Sequence, residues 1–209
     1  MTRTLFITAI VLILEVLIVG VIAPSNWLHD AILDERIMVE SWLGEDATIN
    51  LVDNTNAIYS KFFVSTGLVK KSYGLIPTEE ERKRSGGFDD LGRETFHPFA
   101  KERIDIMWSA IYQSIQRTAL LLMWLPYALA LFIPALIDGV SSRSIKKVTY
   151  GYASPVRYHT AFHAVILLFA AIPFYLALPI AVSPLLVPLW AAAISVSVMI
   201  MASNLQKQI

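Results

Sequence analysis

Cysteine is absent from the 209 residues, which excludes a disulfide framework and any thiolate metal site. Charge is sparse: 16% of residues are Asp, Glu, Lys or Arg and the formal net charge is zero, against about 25% in an average soluble domain. A chain so balanced presents no global field to nucleic acid or to an acidic partner. No G-x-x-x-x-G-K-[ST] or G-x-G-x-x-G segment is present to cradle a phosphate. No nucleophile motif frames any serine. H-E-x-x-H is missing; His159 and His163 stand four apart without a third metal ligand nearby in sequence. The reading is therefore of a protein that is not an enzyme and carries no cofactor or metal. Internal repeats and low-complexity linkers are lacking too.

Long apolar runs are abundant. Hydrophobic residues make up 56% of the chain, and a bilayer core takes about 20 such residues in a row. Leu5 to Ala23 is the first spanning candidate, with fourteen of nineteen positions Leu, Ile, Val or Phe. Glu15 sits at its centre. One central acid costs about 3 kcal/mol and each large apolar residue returns about 0.3–0.6, so the segment is expected to insert as an uncleaved anchor. An intramembrane acid is a functional candidate; the structural reading of Glu15 is a hydrogen-bonded carboxyl at a helix contact.

Residues 24–117 form the one large polar region. Trp27, Leu28, Ala31, Ile32, Met38, Val39, Trp42 and Leu43 recur at helical spacing before Gly44, a plausible stop. Ile49, Val52, Ile58, Tyr59, Phe62 and Phe63 suggest a second amphipathic helix ending near Gly67. Ser85 to Gly92 reads as a mobile loop. His97-Pro98 is expected to open a long helix over 98–137, with Phe99, Ile104, Met107, Trp108, Ile111 and Ile115 on one face and kinks at Pro126 and Pro134. Two further spans are predicted at 160–182 and 184–202, with the turn at Ser183-Pro184. Ala191, Ser195 and Ala193, Ser197 on the last helix allow close contact in lipid, and so an oligomer.

The polar interruption at 138–159 holds Arg143, Lys146, Lys147 and Arg157 against one acid, Asp138. Asp138-Gly139 is expected to end the long helix, with Asp138 pairing to Arg143. A bare connection needs about 2–8 residues; this one spends twenty-two. Asp138, Gly139, Arg143, Lys146, Lys147, Arg157 and His159 are taken as a partner-docking surface, with membrane lipid as a second contact for the basic cluster. The short segments 1–4, 138–159 and 203–209 hold six Lys or Arg and one acid. The positive-inside rule makes that side cytoplasmic.

The expected architecture is all-α with four transmembrane helices. Residues 1–23 are the anchor, 24–117 a helical periplasmic domain, and 118–209 three spans with the basic cytoplasmic loop. Both termini lie inside.

Trp124-Leu125-Pro126, Leu136-Ile137-Asp138-Gly139, Arg143, Ile145, Tyr150-Gly151, Ser154-Pro155 and Tyr158-His159 resemble the core of a family of inner-membrane proteins of integrating conjugative elements and conjugative plasmids. That family is named for a domain of unknown function. The likeness is carried by residues 100–165; Ser141-Ser142 stand where the family is richer in Arg. The resemblance implies an accessory subunit of a type IV secretion apparatus in the bacterial inner membrane. Its partners would be the coupling ATPase and other channel subunits; direct DNA contact is not expected, because four basic residues without aromatic interleaving are a weak nucleic-acid signal. It implies no catalytic residue. Residue chemistry alone leaves two alternatives: a small transporter or channel subunit, and a membrane sensor with a periplasmic ligand domain.

Overall fold

The computed structural model describes residues 24–74 and 90–205. Glu15, the Leu5–Ala23 run and most of the loop expected at 85–92 lie outside the described residues. Every described element is helical: α1 Ser25–Leu43, α2 Glu45–Tyr59 running into a π-turn at Ser60–Val64, α3 Leu68–Tyr73, α4 Asp90–Val148, α5 Pro155–Ala177 and α6 Leu186–Ser203. Three helices are long and apolar enough to cross a membrane: α4 within 98–148, α5 and α6. The fourth expected span is the undescribed N-terminal run.

The chain divides into two compact units. The first takes the described residues up to 119 together with 173–182; the second takes 120–172 and 183–205.

In the first unit, Gly44 joins α1 to α2 at φ 87°, a left-handed conformation that glycine adopts without a Cβ clash. Gly67, at φ 73°, does the same before α3. Leu28, Ile106 and Ala110 form a core cluster with Met107 and Ile111 packed on it. The inward face of α1 is Leu28, Ala31, Ile32, Glu35 and Val39, a helical stripe with a carboxylate in its middle. Trp27 and Trp42, expected on that stripe, are exposed. In α2 the buried positions are Leu51 and Thr55, whereas Ile49, and Phe62 in the π-turn that follows, are exposed. Thr55 is tolerated there because its hydroxyl donates to the Leu51 carbonyl at 2.7 Å.

The long helix is longer than expected at both ends. It starts at Asp90, upstream of Pro98, and continues to Val148. The Asp138-Gly139 stop is therefore corrected: both residues are helical. Gly139 is a contact point, and a Cβ there would stand 2.8 Å from the Met199 carbonyl oxygen and 2.9 Å from Ala202 Cβ. Small size, not a left-handed turn, is what this glycine supplies. Termination comes eleven residues later. Tyr150 takes φ 53°, and the Gly151 amide donates to the Lys146 carbonyl at 2.8 Å, the long bond of a Schellman-type end. Only the short turn at 149–154 separates α4 from α5, so the twenty-two-residue loop contracts to six.

Between α5 and α6, residues 178–185 are not α-helical. The break is broader than a turn at Ser183-Pro184, and Pro179 and Pro184 keep helical backbone from closing across it.

Candidate functional site

The basic corner sits on two elements of the second unit. Gly139, Arg143 and Lys146 follow one another at four and three residues on α4, so they share a face. Gly139 is buried, Arg143 and Lys146 are half-buried, and Asp138 and Lys147 are exposed. Arg157 and His159, in the first turns of α5, are exposed as well. No ion pair joins Asp138 to Arg143 among the described residues, which corrects that expectation. The two side chains emerge from the helix five residues apart, beyond the three or four that brings helical neighbours together. The Arg143 Nε is buried and lacks an acceptor among the described residues.

Lys146 and Lys147 have different surroundings. The Lys146 ammonium donates to the Ser203 carbonyl at 3.0 Å and to Asn204 Oδ1 at 3.2 Å. Asn204, buried, also accepts from the Ser154 amide at 3.2 Å and donates through Nδ2 to the Ile200 carbonyl at 2.9 Å. This one asparagine ties the ends of α4 and α6 and the start of α5 together. Lys146 and Arg157 line one pocket of about 500 Å³ with Ser203 and Asn204. Asp138, Arg143, Lys147 and His159 do not line it. The His159 carbonyl is engaged by His163 Nδ1 at 2.6 Å, so the two histidines meet through backbone and not as a pair of ligands.

The most heavily bonded polar group is one that spacing did not single out. Arg117, 1% exposed, lies in the first unit. Its Nε donates to Glu35 Oε1 at 2.9 Å and its Nη2 donates to the same oxygen. Its remaining donors reach the carbonyls of Tyr175 at 2.5 Å, Leu178 at 2.7 Å and Ile180 at 2.6 Å. Glu35 Oε1 also accepts from the Val182 amide at 3.0 Å. The planar guanidinium, with five donors, thus satisfies the carbonyls that α5 leaves open at its C-terminus and in the segment after it. The signal in the sequence was slight: a cation at the foot of an apolar run and an acid on the apolar stripe of α1.

A cleft of about 460 Å³ in the same unit is lined by Arg36, Tyr59, Tyr73, Asp105, Trp108 and Tyr112 among others. Arg36 donates to Tyr112 Oη at 2.8 Å, and that hydroxyl donates to Asn56 at 2.8 Å. Trp108 Nε1 donates to Ser72 Oγ at 2.9 Å. The Tyr73 hydroxyl donates to Asp105. Desolvation, then the hydrogen bond and the charge of Asp105, push the Tyr73 phenol above its ordinary range.

The model of the DtrJ-like family, described as IncC plasmid conjugative DNA transfer protein DtrJ-like, matches residues 26–206. The chain belongs to the DtrJ-like family. The match takes in every described helix but for the first residue of α1, and membership places the protein in conjugative DNA transfer, in line with the resemblance carried by the 100–165 core. No curated protein and no solved structure matches the chain. For a DtrJ-like protein the basic corner and the buried Arg117 lie inside the matched region, whereas the Leu5–Ala23 run lies before it.

Proposed function

We propose that this protein is an accessory inner-membrane subunit of a conjugative type IV secretion apparatus that holds the coupling ATPase at the membrane. Both termini and the turn at 149–154 face the cytoplasm, and residues 24–117 face outward. The observation that carries the reading is the end of α4. It projects Lys147 into solvent beside an unpaired Arg143 Nε, one turn before a helix stop and with no acid nearer in sequence than Asp138. An exposed cationic helix end beside apolar helices suits an acidic partner surface, and charges of this kind govern encounter and register more than raw affinity.

The test is co-purification of the coupling ATPase from mild detergent, normalised to membrane-inserted protein. Lys147→Glu is expected to lower the ratio severalfold and to leave what remains less sensitive to added salt than the wild-type ratio, because an attraction that salt screens has been removed. Insertion is expected to persist, because Arg3, Arg143, Lys146, Arg157 and Lys207 still mark the inside. An unchanged ratio would remove this helix end from the partner contact.

A further inference from the structure

Lys146 and Arg157 share a pocket that contains no acid. Its lining includes the hydroxyls of Thr160 and Ser197 as well as Val156 and Ala164, and no Asp or Glu. The Lys146 ammonium spends two of its three protons on Ser203 and Asn204, both neutral acceptors, so its charge is held in place without being cancelled. The Arg157 side chain has no hydrogen-bond or ion-pair partner among the described residues. The pocket lies at the first turns of α5 and the last turns of α6. Both helices are long and apolar enough to cross a membrane, which sets the pocket at headgroup depth when they do.

We infer that this pocket binds the phosphate of an anionic membrane lipid, with Lys146 and Arg157 as the paired cations. Thr160 supplies a neutral donor one turn in from Arg157, and Ala161, Ala164 and Ile200 lie deeper along the two helices, where the lipid's apolar part leaves the headgroup. A soluble phosphate would use the same cations but gain nothing from the apolar wall. A basic pocket between membrane helices is a physically sound headgroup site, at about 1 kcal/mol for each Lys or Arg near the surface. The inference rests on the membrane placement proposed above but not on the ATPase contact. It gives the two neighbouring lysines separate tasks: Lys146 turns to lipid and Lys147 to solvent.

The experiment uses the full chain in nanodiscs of phosphatidylcholine doped with phosphatidylglycerol. Lipids kept on the protein after release from the disc are counted by native mass spectrometry. Wild type is expected to retain phosphatidylglycerol in preference to phosphatidylcholine. Arg157→Gln, at an exposed position with no partner to lose, is expected to reduce that retention about fivefold, as one cation of this strength implies. Its melting temperature is expected to stay with wild type. Lys147→Gln removes the same charge one residue outside the pocket and is expected to leave retention unchanged. An equal loss in both variants would reduce the effect to diffuse surface charge and overturn the site. So would entry into discs without any preference between the lipids. Displacement of the lipid by an equal concentration of inorganic phosphate would overturn the lipid assignment in favour of a free anion. Failure of wild type to enter discs would overturn the membrane reading as well, and so is distinguishable from failure of the pocket alone.

Discussion

At the scale of single residues, Arg117 does two jobs at once. It neutralises Glu35 and it caps the carbonyls of Tyr175, Leu178 and Ile180. Removing one member of a buried pair leaves a bare charge and typically costs about 3–5 kcal/mol, whereas replacing both by apolar residues is often near neutral. Here the double replacement would still leave the three carbonyls and the Val182 amide short of partners. Arg117→Met is therefore expected to destabilise the protein by about 3–5 kcal/mol. The Glu35→Leu, Arg117→Met double variant is expected to recover only part of it, remaining below wild type by about 1–3 kcal/mol, the cost of an orphaned buried polar group. Denaturant unfolding in detergent, run as a double-mutant cycle, checks this. Full recovery would show that the capping bonds contribute nothing. The sequence offered Arg117 only as a charge near a membrane end. Its carbonyl acceptors lie 58 to 63 residues away and Glu35 lies 82 away, and no local pattern records such a meeting.

At the scale of elements, the contrast between Gly139 and Tyr150 shows how a helix end was misplaced. Asp-Gly after an apolar run is a sound stop signal. Yet α4 passes through it, because a closely packed α6 needs the missing Cβ more than the chain needs a turn there. The actual stop uses Tyr150 in a left-handed conformation that non-glycine residues seldom adopt, which sequence statistics would not place there. Gly139→Ala is expected to lose about 1–3 kcal/mol through overpacking, because the Met199 carbonyl it meets is backbone and cannot rotate away. Val140→Ala, at the exposed neighbour, is expected to stay within about 0.5 kcal/mol of wild type. Thermal unfolding of the two variants side by side gives the answer; equal stabilities would show that α6 shifts freely to admit the methyl group.

For the whole molecule, the absence of cysteine becomes an experimental advantage. Any introduced thiol is unique. Trp42→Cys and Tyr152→Cys both fall on exposed side chains, one in the first unit and one in the turn between α4 and α5. In intact cells an impermeant maleimide is expected to label position 42 and to reach 152 only after the membrane is opened. Labelling of 152 from outside would reverse the proposed orientation and move the α4 end away from any cytoplasmic ATPase.

Composition and local pattern by themselves determined that the chain is helical and that apolar runs of membrane-crossing length occupy its second half; the conjugative reading of its 100–165 core came from family resemblance. The first two are properties of residue averages and short spacings, which survive without knowledge of what packs on what. Periodicity also located α1, α2 and α6 to within a few residues. It could not say which stripe of each helix would turn inward. Trp27, Trp42 and Phe99 are as apolar as their buried neighbours, and only the tertiary fold left them exposed. The polar interior was decided at the same level. Glu35, Gln113, Gln116 and Arg117 are buried, against the usual preference of such residues. Glu35 and Arg117 offset that cost by pairing with each other across 82 residues of chain. The division of labour at the basic corner came last. Lys146 and Lys147 are chemically identical neighbours, and a single helical step of about 100° put one against Asn204 and the other in solvent.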